Sequence, residues 1–408
     1  MTDISPASDP QRLGFDPGRL SRINDWMDRY VSEGKFPGSS VVIARNGEIA
    51  HQYCTGLRSI EQNLPYEANT IVRIYSMTKM VTSVGLMMLM EKGDFHLEAP
   101  VSRFLPEFDN CMALVPDATS VDQVEPAPAP TVHQLLTHTS GLTYSFNPGL
   151  VPQLYLGIKG DFGPDSAGLE AAVKQIAKLP LVFQPGSQWE YSIGIDVLGR
   201  LLEVVTGKSL DEYLQEAIFD PLGMVDTGFE VPKSKLNRFA DCYEYRENNP
   251  LTPVDPANNS IYEEGRVATF SGGGGLVSTL HDYLQFGEMI RKGGITSKGE
   301  RLLSPRTLAF MRRNHLPGDI ASMGPDSFAE MPMEGMGFGL GGAVVLQPSR
   351  TRMLGSVGDY GWGGMASTYF WTDPVEDLSV VFFTQLRPSS TYPNRVELKA
   401  LVHGALTG

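Results

Sequence analysis

Ser76-Met77-Thr78-Lys79 stands at the head of the apolar stretch Met80–Met90 and has the makings of a nucleophile with its base attached. A serine and a lysine three residues apart at a helix start share one face and lie within side-chain reach. Serine hydroxyl is a poor nucleophile until a neighbouring base takes its proton. A desolvated lysine can be that base, because burial lowers an ammonium pKa toward neutrality. The positive end of the helix dipole disfavours a protonated lysine and favours negative charge developing near the serine. Ser32-Glu33-Gly34-Lys35 has the same spacing. It follows the amphipathic run Leu20, Ile23, Met27, Tyr30, Val31, and Gly34 reads as that helix's stop. Ser32 therefore sits where the dipole has the wrong sign for an activated serine.

Two other regions carry groups that such a serine needs. Trp189-Glu190-Tyr191-Ser192-Ile193 follows the turn Gln184-Pro185-Gly186-Ser187 and precedes the helical run Ile195–Thr206. A tyrosine where a loop runs into a helix can present its phenol to a site and relay protons with a lysine's help. Tyr144-Ser145-Phe146-Asn147, after His138-Thr139-Ser140-Gly141, is a rival, and local sequence does not choose between the two tyrosines. Gly361-Trp362-Gly363-Gly364-Met365 precedes the β-like run Ser367–Asp373. Its glycines let a backbone approach a ligand closely, so an N–H on this edge can pair with the N–H of Ser76 as an oxyanion hole. The plainer reading is a tight hairpin turn with Trp362 as a core aromatic.

The elements that must position these groups come from both ends of the chain. An amphipathic helix over Pro17–Glu33 precedes two β-rich runs, Ser39–Ala44 and Glu48–Gly56, joined at Asn46-Gly47, a strong hairpin signal. Near the other end, Gly339–Leu346, Arg352–Gly358, Ser367–Asp373 and Leu378–Leu386 read as successive antiparallel strands, and Arg395–Leu406 as a closing helix. The middle is mostly helix and loop: Val132–Thr137, Ala167–Leu179, Ile195–Thr206 and Leu210–Ala217 carry helical periodicity, with Gly207 and Gly223 as stops. Asp117–Pro130 and Arg246–Asn259 read as surface loops. The expected architecture is α+β, with one domain from residues 1–95 and 271–408 and a mainly helical domain from 96–270. The site would lie in the cleft between them.

Composition narrows the function classes. The 408 residues are 41% hydrophobic and 20% charged, ordinary for a soluble globular protein with ample cores. A formal net charge of -14 argues against nucleic acid or an anionic membrane as partner. Residues 1–14 show no basic or apolar leader pattern, and no apolar run reaches bilayer-spanning length, so a cytoplasmic protein is expected. Cys54, Cys111 and Cys242 lack metal spacing and read as reduced thiols. The seven histidines form no zinc-type array, so no metal is expected.

Ser76-x-x-Lys79, Tyr191-Ser192 and Trp362-Gly363-Gly364, in this order, resemble the motif set of the serine β-lactamase-like superfamily. Supporting strings cover most of the chain: Val132-His133-Gln134-Leu135-Leu136-Thr137-His138-Thr139-Ser140-Gly141-Leu142, Pro221-Leu222-Gly223-Met224 and Ser271-Gly272-Gly273-Gly274-Gly275-Leu276. The chain looks most like the family VIII carboxylesterases, which are similar in fold to class C β-lactamases and D-alanyl-D-alanine carboxypeptidases. The resemblance implies a β-lactamase-like/transpeptidase fold, an antiparallel sheet flanked by helices beside the helical domain. It makes Ser76 the acylated nucleophile, Lys79 its base and Tyr191, rather than Tyr144, the second proton carrier. The N–H groups of Ser76 and Met365 would form the oxyanion hole. Trp362, Gly363, Gly364, Tyr144 and Phe146 would line the substrate pocket.

Two departures bear on the substrate. Ile193 stands where class C enzymes carry an asparagine, and Trp362 where lactamases begin Lys-Thr-Gly. A lysine there recognises the substrate carboxylate, and a tryptophan cannot. The expected activity is a serine carboxylesterase acting on short- to medium-chain or otherwise apolar small-molecule esters, with no cofactor and no metal. Acyl transfer to an alcohol or amine, weak cephalosporin or D-amino-acid peptide hydrolysis, and a catalytically silent penicillin-recognising protein are the rivals. Leu354-Gly355-Ser356-Val357-Gly358 fails as a G-x-S-x-G elbow at its first position, which speaks against an α/β-hydrolase.

Overall fold

Asn46 and Gly47 both adopt left-handed backbone, φ 55° and 85°, the two-residue turn whose twist suits a hairpin. They join β1 (Gly38–Arg45) to β2 (Glu48–Ser59), as the sequence predicts. The structure, a computed structural model, describes residues 9–158, 163 and 166–407. After β3 (Leu64–Pro65) the chain leaves the sheet and returns as β4 (Met336–Phe338), β5 (Ala343–Val345), β6 (Tyr360–Gly363), β7 (Tyr369–Asp373) and β8 (Leu378–Thr384). All pairings are antiparallel, in the spatial order β4-β5-β6-β7-β8-β1-β2-β3. The seam between the two chain ends is β1 against β8, in continuous register from Ser39↔Thr384 to Arg45↔Leu378. Every residue of β8 is buried, as expected of a strand covered on both faces.

Helices cover both faces. α1 (Pro17–Ser32), capped by the Asp16 carboxylate, buries Leu20, Ile23, Trp26, Met27 and Tyr30. It is tied to the closing helix, Asn394–Gly404, where Glu397 accepts from Trp26 Nε1 and Tyr30 OH, both at 2.7 Å. The closing helix meets the sheet through Lys399, whose ammonium lies 4.9 Å from the Trp371 ring centre. Leu280–Arg291 packs on the neighbouring residue Phe370, which points to the opposite face because consecutive strand residues alternate. α2 (Thr78–Lys92) is buried nearly all round, from Thr78 through Met87 and again at Leu89. It packs against α3 (Gly194–Thr206), the central helix of the segment between the two halves of the sheet. Gly207 and Gly223 end their helices at φ 68° each, as left-handed caps. Among the described residues, no helix is long and apolar enough to cross a membrane.

Three expectations need correction. Arg352–Gly358 is not a strand: Arg352, Gly355 and Gly358 all take positive φ, which breaks extended backbone, and the next strand starts at Tyr360. The segment Gly361–Gly363 lies within β6, so Trp362 is a strand residue and the turn follows it. The two presumed loops each contain a short strand: Val124–Pro126 pairs with Met112–Leu114, and Thr252–Asp255 with Cys242–Glu244. Proline-rich composition hid the first, and polar surroundings hid the second.

The contact of Leu280–Arg291 with the sheet relies on Gly287, where an added Cβ would lie 2.5 Å from a Phe370 ring carbon. Gly287→Ala should destabilise the protein by about 1–3 kcal/mol through overpacking and lower its Tm. Thermal unfolding checks this; an unchanged Tm would show that the ring gives way at no cost.

Candidate active site

The backbone just before the candidate nucleophile is strained. Tyr75, a non-glycine residue, has φ 43°, and Ser76 follows in the 3-10 turn Tyr75–Met77 that opens α2. Such a conformation costs on the order of 1–2 kcal/mol and persists only where the surroundings enforce it. The enforcement comes from both sides. Upstream, Arg73 is fully buried and donates to Asp255, to the Ala240 carbonyl and to Gln385. Opposite, Gly364 at the end of β6 presses so closely that a Cβ there would collide with the Ile74 carbonyl. The glycine after Trp362-Gly363 is thus required for the strand end to reach the turn that holds Ser76.

Lys79 is 0% exposed, and its Nζ has three oxygen neighbours. It lies 3.3 Å from Ser76 Oγ, 2.9 Å from Tyr144 OH and 2.7 Å from the Gly273 carbonyl. The expected serine–lysine proximity is present. The carbonyl partner comes from Ser271-Gly272-Gly273-Gly274-Gly275, a string that carried no assigned role in the sequence. Its glycine run was the available sign of close backbone approach.

Both candidate tyrosines reach the site, by different routes. Tyr144 brings its phenol oxygen to Lys79. Tyr191 brings its ring, with Lys79 Nζ 4.6 Å from the centroid, while its oxygen accepts from Trp362 Nε1 at 3.1 Å. An indole N–H only donates, so the Tyr191 oxygen is the acceptor in that bond and its own hydrogen is left to point elsewhere. The two phenol rings are 5.3 Å apart. Phe146 stacks on Tyr144 at 4.8 Å and remains 55% exposed at the rim.

The long string around His138 supports Tyr191 from beneath. The helix Val132–Leu136 starts with a capping box between Thr131 and Gln134. His138 then turns with φ 58° and lies fully buried against Tyr191, Trp189 and Phe338. Its Nδ1 accepts from the Ser192 backbone N–H at 3.2 Å and lies 3.0 Å from Ser192 Oγ. Burial, then the nearby Lys79 charge, push its pKa well below the ordinary value, so His138 is a neutral imidazole at pH 7. Asn147 Nδ2 fixes the other side by donating to the Tyr191 carbonyl at 2.8 Å. Sequence reasoning gave His138 no role of its own, because a histidine's packing partners are set only by the fold.

Ser76, Tyr144, Phe146, Tyr191, Trp362, Gly363, Gly364 and Met365 all line one cavity of about 670 Å³. That volume lies within the range of small-molecule sites. Much of the remaining wall is apolar: Phe328, Met331, Met333, Met336, Ala343 and Val345. Phe328 stacks on Trp362 with 15° between the ring planes. Among the described residues, three cations also border the cavity, and each is engaged elsewhere. Arg387 pairs with Glu244, Lys399 with Asp359, and Arg395 donates to the Gly364 carbonyl.

Comparison with known proteins shows the family and the fold. The profile of the Beta-lactamase family matches residues 23–403. The chain belongs to the beta-lactamase family. Esterase EstB of Burkholderia gladioli is 32% identical over 394 residues, covering 92% of this chain and 93% of that protein. Monacolin J acid methylbutanoyltransferase of Aspergillus terreus is 29% identical, covering 95% and 94%. Among solved structures, EstCE1, described as a hydrolase with promiscuous acyltransferase activity, superposes with a TM-score of 0.78 at 29% identity, over 98% of this chain and 99% of that one. Within the superfamily the chain fits the family VIII carboxylesterases, and its fold is the β-lactamase/transpeptidase fold that the motifs implied.

The two phenols should separate by substitution. Tyr191→Phe is expected to lower kcat by about 100-fold or more with KM little changed, as for loss of a general acid or base. Tyr144→Phe, which removes one hydrogen-bond partner of Lys79, should cost about tenfold. Steady-state kinetics on one ester decide it; the reverse order would exchange the two roles.

Proposed function

We propose that this protein is a serine carboxylesterase that hydrolyses short- to medium-chain or otherwise apolar esters through an acyl-enzyme on Ser76. The observation that carries the reading is the Ser76–Lys79–tyrosine cluster opening onto a mostly apolar cavity, with an indole in place of the lactamase lysine. Lys79 takes the Ser76 proton as Oγ attacks the ester carbonyl. The N–H groups of Ser76 and Met365 hold the oxyanion, a contribution often worth about 3–4 kcal/mol per donor. Tyr191 delivers a proton to the departing alcohol, water then attacks the acyl-enzyme, and the same groups run in reverse to release the acid. Tyr144 and the Gly273 carbonyl hold the Lys79 amine in place throughout. Trp362, Gly363, Gly364 and Phe146 border the substrate.

Neutral esters suit the cavity better than carboxylated β-lactams, because each described cation on its wall already has a carboxylate partner. Acyl transfer is the second reading, favoured by the resemblance to a methylbutanoyltransferase along nearly the whole chain. It uses the same acyl-enzyme and differs only in whether water or an alcohol takes the acyl group.

A panel of p-nitrophenyl acyl esters beside a chromogenic cephalosporin tests the proposal. Ester kcat/KM should exceed that for the cephalosporin by at least about 100-fold, and Ser76→Ala should remove about 10⁴-fold or more of the ester turnover. Wild-type rates in Ser76→Ala, or faster cephalosporin than ester turnover, would overturn it. Adding acceptor alcohols and analysing the products for transferred acyl groups separates hydrolase from acyltransferase.

A further inference from the structure

Lys79 is oriented by a carbonyl that is itself held in place. The Gly273 oxygen accepts from Lys79 Nζ at 2.7 Å, and the Gly273 N–H donates to Asp196 Oδ1 at 2.9 Å. Asp196 lies in the first turn of α3 and is 1% exposed. The same Oδ1 accepts from Ser271 Oγ at 2.5 Å. Two threonines of α2 hold the flanks of this loop: Thr82 Oγ1 donates to the Gly272 carbonyl at 2.8 Å, and Thr78 Oγ1 accepts from Leu276 N–H at 3.1 Å. A Cβ on Gly273 would collide with Asp196, so the loop approaches α3 as closely as a backbone can.

We propose that Asp196 is a positioning residue for acyl transfer, fixing the Gly273 carbonyl that aims the Lys79 amine at Ser76. The inference rests on the reading of Ser76 as nucleophile and Lys79 as base. A neutral amine acting as base has two N–H bonds and one lone pair. With the N–H bonds spent on the Gly273 carbonyl and the Tyr144 oxygen, the lone pair is left facing Ser76 Oγ. A carbonyl accepts and never donates, so it holds an N–H in that direction only while it stays in place. Asp196 fixes the loop that carries it by accepting from the Gly273 N–H and the Ser271 hydroxyl, bonds to a carboxylate being a class roughly twice as strong as neutral pairs. The α3 N-terminus favours that negative charge. Because Tyr191 enters the site just ahead of α3, one helix start sets both the phenol and, through Asp196, the direction of the base.

The test compares Asp196→Ala with Asp196→Asn, which keeps a carbonyl oxygen for the Gly273 N–H. Active sites are counted by phosphonate titration, so that misfolded molecules drop out of the rate. For Asp196→Ala, kcat per titrated site should fall by about 30–100-fold with KM within about threefold, and Asp196→Asn should recover most of the loss. Per-site kcat within about twofold of wild type, a loss confined to KM, or an Asn variant no better than Ala would overturn the proposal. If Asp196→Ala does not fold, Asp196→Asn and Ser271→Ala carry the test. Each should lose about 3–10-fold in per-site kcat at unchanged KM, and wild-type per-site kcat in Ser271→Ala and Asp196→Asn alike overturns the inference. Wild-type protein lacking Ser76-dependent ester turnover would defeat the functional reading itself. Normal wild-type turnover with unaffected Asp196 variants would defeat only this step.

Discussion

A lysine amine with no solvent contact, 3.3 Å from a serine hydroxyl, is the constraint around which the molecule is arranged. Burying an amine costs free energy unless its hydrogens find acceptors, and here the acceptors come from distant parts of the chain. Tyr144 supplies one from the loop after the Val132–Leu136 helix, and Gly273 supplies another from the glycine run before Leu280–Arg291. Both segments must close on the start of α2 before Lys79 is satisfied. The strained Tyr75, the glycine contact at Gly364 and the buried Arg73 hold that helix start in place. The site is therefore a junction of elements that cannot shift independently.

The same junction bears on the substrate. Trp362 lies on a sheet strand, so its indole is set by the strand's register, and its N–H is spent on Tyr191. That one side chain anchors a phenol and, in the proposed reading, stands where lactamases carry a substrate-binding lysine. In the proposed reading, a substrate carboxylate would find no unpaired cation among the described residues, whereas an apolar group would find Met331, Met333, Met336 and Phe328. Ile193, fully buried, occupies the position where class C enzymes carry an asparagine. Here the Gly273 carbonyl and Tyr144 serve as the oxygen partners of the lysine.

How much of this was legible in the sequence depended on the range of the interaction. Ser76 and Lys79 share a helix turn, so their spacing sufficed. The Asn46-Gly47 hairpin and the glycine stops are equally local and were readable. Assembly of the sheet from both chain ends followed from strand character at each end. Failures came where local pattern and tertiary context diverge. Arg352–Gly358 has the composition of a strand, but its positive φ angles make it a turn. Tyr144 and Tyr191 looked alike locally, and motif resemblance ranked one above the other. The fold places both at Lys79, one through its oxygen and the other through its ring. The links from His138 to Ser192 and from Asp196 to Gly273 join residues far apart in the chain, which one sequence does not bring together.

The central claim is that Ser76 carries the acyl group. Rapid quenching in acid during turnover of a slowly hydrolysed ester, followed by peptide mass spectrometry, tests it most directly. The account predicts one acyl mass added to the peptide containing Ser76, appearing within the pre-steady-state burst and absent in Ser76→Ala. An adduct on any other residue, or steady turnover with Ser76 unmodified throughout, would contradict it.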